Sequence, residues 1–289
     1  PLLINYLTKD AKESGKSSGT VYAVSTLGRI ITTFAVGFYT LPEFGISNTL
    51  YGYVIRVLDI STYLFITTRT FKTTVSIIVL IGILSLNFHD KYYQEQTHYF
   101  SEGILGEVKV LDQTFFNARE NRTVTYRQLI VNNISQTIMD IDNPEKSYWD
   151  YVDILAYNLN AYKKGNNALL LGLGGGTLYK KLQYDGLNID VVELDKRIGE
   201  VAKEFFFIED SINLIIDDAR HYIKTSTKKY DVIIYDLFQA ETPPIHIMTK
   251  EAFSDVNQKL NEKGILVINF YGYSSIKRGD DDSSIYKRT

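Results

Sequence analysis

Cysteine is absent from the 289 residues of this sequence, and only four histidines occur, His89, His98, His221 and His246. The lack of cysteine excludes disulfides, thiolate chemistry and zinc–thiolate sites. None of the histidines has the spacing of a metal-binding motif, so we expect no metal ion. Long basic segments are lacking as well. A net charge of −3 and a pI near 5.9 give no reason to expect a nucleic-acid partner.

Charge is scarce in the first third of the chain. Residues 17–41 and 44–68 are long apolar runs with few charges, and residues 73–88 are sixteen positions without any charge. A helix needs about 20 apolar residues to span a bilayer. We therefore predict a transmembrane region over residues 1–90 with about three helices. The alternative is that the first two runs form a buried helical pair in a soluble protein. Because the chain begins with Pro1 and not with Met, we expect a piece of a longer protein.

Three charged side chains, Arg29, Arg56 and Asp59, interrupt these apolar runs. Arg56 and Asp59 are three positions apart, so on a helix they share a face and can pair with each other. Charges at membrane depth usually pair or line a polar cavity, which marks function. The other interpretation is that the helices are shifted so that these charges reach the membrane interface.

The pattern changes near residue 100. The segments GEVKVLDQTF and RTVTYRQLIVNN alternate apolar with polar residues and are separated by a polar turn. Such alternation is typical of a β-hairpin, and it predicts a small N-terminal β-domain over residues 100–145. Residues 144–159 then have apolar positions at helical spacing after a proline and an acidic residue, which predicts a helix.

Beyond Lys164, short apolar segments alternate with amphipathic ones. ALLLGL and YDVIIYDL have the continuous hydrophobicity of strands that are buried on both faces, whereas DKRIGEVAKEFF has helical periodicity. Strands separated by helices form a parallel sheet that is covered on both sides. The predicted fold class for residues 146–289 is therefore α/β with a Rossmann-like, doubly wound parallel sheet.

A glycine-rich loop follows the first strand of this region and precedes its first helix. Gly172, Gly174 and Gly176 allow a sharp turn and a close approach of the backbone to a ligand, with the helix-terminal N–H groups directed at it. Such a loop is weak evidence by itself, because glycines also serve as plain turns between a strand and a helix.

Carboxylates at the ends of the following strands strengthen the prediction. Glu193 ends the second strand, Asp218 follows the third and Asp236 ends the fourth. Open α/β sheets bind ligands at this carboxyl edge, where an acid after the second strand can accept both hydroxyls of a ribose. The loop spacing is G-x-G-x-G, unlike the dinucleotide fingerprint, and little chain is left for a second nucleotide half. An adenosyl cofactor without a pyrophosphate fits better.

Several segments, in order and spacing, resemble the spermidine synthase (polyamine aminopropyltransferase) superfamily, closest to its membrane-fused branch. They are LLLGLGGGTLYKKL, VVELDKRIGEVAKEFF, DDARHYI, KYDVIIYDLF, PIHIMTKEAF and LNEKGILVINF, together with Gln136 and SYWDY upstream. The similarity covers roughly residues 15–272. It implies a methyltransferase-like Rossmann fold behind a small β-domain, and a transferase that uses decarboxylated S-adenosylmethionine or S-adenosylmethionine.

The resemblance also implies roles for individual residues. The donor-binding residues would be Gly172, Gly174, Gly176, Glu193 at the ribose, Asp218 and Ala219 at the adenine, and Gln136 along the donor chain. Asp236 would orient the attacking amine and accept its proton, with Tyr148 beside the amine. His246 either contacts substrate or is a structural turn residue, and Trp149 either stacks on a substrate or belongs to the core.

Two departures from the family pattern weaken the polyamine interpretation. The glycine loop of these enzymes usually holds an aspartate against the free amine of the donor, and Gly174 stands at that position here. A second acidic residue expected after Asp236 is replaced by Gln239. Each charge-assisted contact contributes about 1.5–3 kcal/mol, so a polycation would bind less tightly. The chain also ends soon after GILVINF, where the family continues with a helix and two strands.

The sequence therefore predicts a membrane-anchored aminopropyltransferase whose partners are an amine substrate and a lipid membrane, and a homodimer is one assembly to expect. The alternatives are an S-adenosylmethionine-dependent methyltransferase and a degenerate nucleoside-binding sensor domain. We predict a multi-pass protein of the cell membrane. The α/β domain is placed in the cytoplasm because the donor is found there, although three spans and the flanking lysines would put it outside.

Overall fold

The computed structural model describes residues 14–68, 82, 96–118, 121–238 and 244–270. The chain divides into two compact units. The first comprises Pro1–Tyr92 with Ser101–Gly106, and the second comprises Tyr93–Phe100 with Glu107–Thr289. Gln239 and the polar tail after Phe270 lie outside the described residues.

The first unit is mainly helical. Helix α1 spans Ser14–Ala35, a π-helical turn covers Val36–Thr40, and helix α2 spans Leu41–Thr68. Gly45 interrupts α2 with φ 76° and ψ 178°, so the helix begins again after it. The Glu102 carboxylate accepts hydrogen bonds from the backbone N–H and from the hydroxyl of Ser47, both at 2.8 Å. These bonds cap the restarted helix, since its first N–H groups have no partner within the helix.

Among the described residues, one helical stretch, Gly15–Val57, is long and apolar enough to cross a membrane by length and composition. Its large side chains are solvent-exposed, with Phe38 77% exposed. The predicted run 17–41 falls on this stretch, and the predicted run 44–68 falls on its second half and on the rest of α2. A single non-helical residue, Gly45, interrupts the helical conformation near the junction of the two runs. The third run, 73–88, lies outside the described residues apart from Gly82. The described residues support one apolar N-terminal stretch, and several separate spans stay a prediction.

A five-stranded antiparallel sheet follows. Its strands are β1 Thr97–Gly103, β2 Gly106–Asn117, β3 Arg122–Val131, β4 Ile134–Asp140 and β5 Asn143–Ser147, and they lie in chain order across the sheet. Asn132 and Asn133 join β3 to β4 with φ of 52° and 64°. Two consecutive residues with positive φ make a tight hairpin turn, which asparagine tolerates well. The expected helix over 144–159 is wrong at its start, because Ser147 pairs with Met139 in the sheet.

The α/β part contains five strands with helices between them. The elements are α3 Asp150–Tyr162, β6 Asn167–Leu171, α4 Thr177–Tyr184, β7 Asn188–Glu193, α5 Lys196–Phe206, β8 Asn213–Ile216, α6 Ala219–Thr225, β9 Tyr230–Tyr235, a 3₁₀ turn Ile245–Ile247, α7 Lys250–Lys259 and β10 Leu260–Ile268. The strands are parallel in the order β10-β9-β6-β7-β8. The predicted parallel α/β sheet is confirmed. Its order reverses between β6 and β9, and such a switch point opens a crevice at the carboxyl edge.

Helices cover both faces of this sheet. Leu170 and Ile234 pack in one buried cluster with residues of α3, α4 and α5, whereas Leu171 and Ile233 pack in a second cluster with residues of α6 and α7. Side chains alternate between the faces of a strand, so both sets must be apolar. This is why the strands read as continuous apolar runs in the sequence.

The antiparallel sheet packs on the α/β part through the first of these clusters, which includes Val110 and Leu129. Polar contacts fix the packing. Arg127 donates two hydrogen bonds to Asp112, at 2.8 and 2.9 Å, and a third to the carbonyl of Phe205 at the end of α5, at 3.2 Å. The Arg127 guanidinium thus links Asp112 of the antiparallel sheet to the end of helix α5 in the α/β part.

Candidate functional site

The glycine loop begins at a position that only glycine can occupy. Gly172 has φ +91°, and a Cβ added there would lie 2.3 Å from the backbone oxygen of Asp236. Both residues extend the hydrogen bonding of the sheet, since Gly172 donates to the carbonyl of Val192 and Asp236 donates to that of Leu171, each at 2.9 Å. The close approach of the two chains at the switch point therefore requires a glycine, independent of any ligand.

A threonine of the small sheet holds the middle of the loop. The hydroxyl oxygen of Thr137, which is 4% exposed on β4, accepts the N–H of Gly175 at 2.8 Å. A Cβ added at Gly174 would lie 3.3 Å from the same oxygen. Thr137 is not among the predicted site residues, because a threonine in an alternating strand has no distinguishing pattern. The predicted residue nearest to it in the sequence is its neighbour Gln136.

Glu193, at the end of β7, accepts two backbone hydrogen bonds at 3.0 Å, from Leu173 in the loop and from Asp195. Burial raises the pKa of Glu193, and the backbone N–H donors oppose that rise. Glu193 therefore shapes the loop directly. Its contact with the ribose of a donor stays a prediction.

Asp236 follows β9 at the switch point and is half-buried. Its Oδ2 accepts the hydroxyl of Tyr151 at 3.2 Å and its Oδ1 accepts the side-chain amide of Asn269 at 2.9 Å. Burial raises the pKa of Asp236, whereas the bonds from Asn269 and Tyr151 lower it. Burial and the negative charge of Asp236 raise the pKa of Tyr151, so the phenol stays protonated and donates.

These groups line one cavity of about 630 Å³, a size within the usual range for small-molecule sites. Three of the predicted site residues, Gln136, Gly174 and Asp236, are brought together here. The lining residues are Ile134, Ser135, Gln136, Thr137, Trp149, Tyr151, Val152, Leu173, Gly174, Thr177, Leu178, Asp236, Phe238, Asn269 and Phe270. They come from β4, the start of α3, the glycine loop, the start of α4 and the segments that follow β9 and β10.

Tyr148 lies elsewhere. It lines a separate cavity of about 610 Å³, and its ring contacts that of Tyr126 with centroids 5.1 Å apart. Tyr151, three residues later in the first turn of α3, is the tyrosine that reaches Asp236. Both tyrosines flank the same Trp-Asp pair, so composition alone cannot choose between them. The start of the helix at Asp150 decides which one points to the crevice.

The predicted adenine residues lie at the next strand end, outside the described lining of this cavity. Asp218 caps α6, because its Oδ1 accepts the N–H of His221 at 2.9 Å, and its Oδ2 lies 3.4 Å from Nε2 of His246. Ala219 is the first residue of α6 and is buried. His246, in the 3₁₀ turn, therefore faces Asp218. The described residues contain no group of three or more His, Asp or Glu side chains that could hold a metal ion.

The arrangement defines a class of protein. A parallel sheet with a glycine loop after its first strand, an acid at the end of the next strand and a ligand-sized cavity at the switch point is a Rossmann-like domain built to bind a small molecule at its carboxyl edge. Residues 151–270 match the family model described as spermine/spermidine synthase domain. This match confirms the resemblance of the segment to the spermidine synthase superfamily. Membership of the membrane-fused branch stays a prediction.

Several individual proteins are similar to parts of this chain. The chain is 33% identical over 150 residues to the polyamine aminopropyltransferase of Vibrio vulnificus, covering 50% of each chain. It is 31% identical over 126 residues to the N-terminal histidine N-methyltransferase of Emericella nidulans, covering 42% of this chain and 23% of the other. A probable spermidine synthase structure from Corynebacterium glutamicum superposes with a TM-score of 0.47 and 20% identity, covering 61% of this chain and 62% of the other. The chain spans about half the length of the first of these relatives.

Proposed function

We propose that this protein transfers an aminopropyl group from decarboxylated S-adenosylmethionine to an amine. The observation that supports this most directly is the arrangement at Asp236. One carboxylate, oriented by Tyr151 and Asn269, lines the same cavity as Gln136 and the glycine loop. The relatives that carry the name polyamine aminopropyltransferase support the same assignment for the domain.

The reaction needs alignment and one base. The nitrogen of the acceptor amine attacks the carbon next to the sulfonium, the carbon–sulfur bond breaks with its electron pair staying on sulfur, and methylthioadenosine leaves. The new carbon–nitrogen bond makes the nitrogen an ammonium, and Asp236 takes its proton. A base in hydrogen-bond reach contributes about 10²–10⁴-fold, and fixed geometry contributes the remainder.

The donor would occupy the loop side of the cavity. In this proposal Gly172, Gly174 and Gly176 allow its close approach, Gln136 lies along the aminopropyl chain and Glu193 accepts from the ribose. Asp218 and Ala219 would face the adenine, with the Asp218 carboxylate already bonded to the start of α6. The tight turn that this role needs is supported by the positive φ of all three glycines, +91°, +53° and +78°, because glycine adopts such a backbone at little cost.

The test is release of methylthioadenosine by the full chain in detergent, with decarboxylated S-adenosylmethionine and a panel of amines. Turnover by the wild type and a loss of at least about 100-fold in Asp236→Asn would support the proposal. Asp210→Asn is the matched control, because Asp210 is 95% exposed in its pair with Lys203. Equal activity of wild type and Asp236→Asn would exclude Asp236 as the base. No turnover by a folded wild type would exclude the proposed reaction and favour a nucleoside sensor.

Methyl transfer from S-adenosylmethionine is the second candidate. It is favoured by Gly174, which leaves the loop without the carboxylate that aminopropyltransferases direct at the donor's free amine, and one relative carries the name N-methyltransferase. The variant Gly174→Asp separates the two. Gly174 has φ +53°, where aspartate is among the tolerated residues. If the wild type transfers aminopropyl groups, Gly174→Asp should bind the decarboxylated donor about tenfold more tightly relative to S-adenosylmethionine.

We further propose that the apolar stretch Gly15–Val57 anchors the domain to a membrane, with the domain on the cytoplasmic side where its donor is made. The length of the stretch and the exposure of its apolar side chains support an anchor. An integral protein would stay in the membrane pellet after extraction at alkaline pH. Release into the supernatant would exclude a span, and protease protection of the α/β domain in sealed vesicles would report its side. That the protein forms a homodimer stays a prediction, which sedimentation analysis would test.

A further inference from the structure

We infer that the acceptor is an amine with a single charged group on an apolar body, and not a polycation. The inference rests on the proposed function, since it concerns the acceptor half of the same cavity. It is drawn from the side chains that line the cavity between Asp236 and the end of β10. These side chains are mostly apolar or neutral, whereas a di- or tricationic substrate requires several carboxylates.

The acceptor side of the cavity is aromatic and aliphatic. Trp149, Phe238 and Phe270 line it together with Val152. Trp149 is 38% exposed and Phe270 44% exposed, so their rings are available for contact with a ligand. An aromatic and aliphatic surface binds apolar groups, because contact removes the apolar surface of the ligand and of the cavity from water.

The described lining holds a single carboxylate. Asp236 is that carboxylate, and the other polar lining groups are the neutral side chains Ser135, Gln136, Thr137, Thr177, Tyr151 and Asn269. Both oxygens of Asp236 already accept hydrogen bonds. The reacting amine takes the position beside Asp236, so a second ammonium at the far end of the acceptor would meet no opposite charge among the described lining side chains. An uncompensated charge in such surroundings binds poorly.

The loop side of the cavity strengthens this conclusion. Thr137 fills the space beside Gly174, with its hydroxyl 3.3 Å from an added Cβ, and that hydroxyl is bonded to Gly175. The side chain beside Gly174 is thus an uncharged threonine whose hydroxyl already has a hydrogen-bond partner. A ligand with one amine and an aryl or alkyl body matches the whole described lining, whereas a polyamine matches it only at Asp236.

The experiment compares monoamine acceptors with a diamine and a triamine. The full chain in detergent is assayed by methylthioadenosine release with butylamine, hexylamine, 2-phenylethylamine, butane-1,4-diamine and spermidine. We expect kcat/KM to be at least about tenfold higher for 2-phenylethylamine than for butane-1,4-diamine. A diamine or spermidine that is used equally well or better would overturn the inference and leave the proposed function standing.

A binding measurement distinguishes failure of the proposed reaction from failure of the inference about the acceptor. If no amine supports turnover, the proposed reaction fails, and calorimetric titration of 2-phenylethylamine and butane-1,4-diamine into the full chain still tests the inference. Tighter binding of the aryl monoamine would retain it as a property of the cavity. Equal binding, tighter binding of the diamine or no binding of either would overturn it.

Trp149 is the side chain to vary. Trp149→Ala should lower kcat/KM for 2-phenylethylamine by at least about fivefold more than that for butane-1,4-diamine, and Trp149→Phe should restore most of the difference. Tyr157→Ala is the matched control, because Tyr157 lies on the helix that begins directly after Trp149, is 78% exposed and lines none of the described cavities. Circular dichroism checks that each variant is folded. Equal losses for both amines, or no loss, would exclude Trp149 as the wall that selects an apolar body.

Discussion

The hydroxyl of Tyr151 donates a hydrogen bond to Oδ2 of Asp236 over 3.2 Å, although the two residues are 85 positions apart. The bond joins the first turn of α3 to the end of β9. Burial raises the pKa of both groups, which keeps Tyr151 protonated and makes Asp236 a stronger base than an exposed aspartate. Tyr151 therefore orients Asp236 and lowers its pKa in part, without itself taking a proton.

Replacing Tyr151 by phenylalanine should lower kcat by about 10- to 100-fold. A hydrogen bond to a charged group is worth about 1.5–3 kcal/mol, which corresponds to that range. Methylthioadenosine release under saturating donor and amine measures the effect. Tyr148→Phe should have a smaller effect, because Tyr148 lines a different cavity. The reverse order would support the role that the family resemblance implies for Tyr148.

The variant Asn269→Ala should move the acidic limb of the pH–rate profile to higher pH. The active form requires an ionised Asp236, and the hydrogen bond from Asn269 lowers the pKa of that carboxyl. Its removal raises the pKa, so activity is lost at a higher pH as the medium is acidified. Profiles of kcat/KM for wild type and variant test this. Asn257→Ala, an exposed residue of α7, should keep the wild-type profile, and an unshifted limb in Asn269→Ala would argue against Asp236 as the titrating base.

The variant Thr137→Val should destabilise the domain and weaken donor binding. Valine has the shape of threonine but cannot accept the N–H of Gly175, and a buried donor without a partner costs about 1–3 kcal/mol. We expect a lower midpoint of thermal unfolding and weaker binding of the donor in a titration. Thr137→Ser keeps the hydroxyl and should retain most of both. A wild-type midpoint in Thr137→Val would mean that the loop is held by other contacts.

The variants Gly172→Ala and Gly186→Ala separate backbone strain from steric conflict. Both glycines have positive φ, +91° and +81°, but an added Cβ meets the Asp236 backbone oxygen at 2.3 Å in the first and nothing within 4 Å in the second. Gly186→Ala should cost about 1–2 kcal/mol in the free energy of unfolding. Gly172→Ala should cost more than about 4 kcal/mol or prevent folding, because a backbone atom of the central sheet cannot move away cheaply. Equal costs in denaturant titration would contradict this difference.

Part of the fold can be read from local patterns. Continuous apolar runs such as Ala168–Leu171 predicted strands buried on both faces, and the structure places these residues in the two clusters of a parallel sheet. The periodicity that indicates burial is a property of neighbouring residues, so it is present in the sequence. The N-terminal runs show the limit of the same signal. Hydrophobicity located them, but the number of helices depends on a local conformation at Gly45.

The sequence by itself determined the class of sheet, the glycine loop and the strand-end carboxylates Glu193 and Asp236, because each follows from residue type and from position relative to a strand. Only the tertiary structure decided that β6 lies beside β9, which brings Gly172 against Asp236. It alone selected Tyr151 over Tyr148 and added Thr137 and Asn269 to the site. These contacts join residues 33 to 85 positions apart, and they depend on strand order and on the packing of two sheets, which no local pattern encodes.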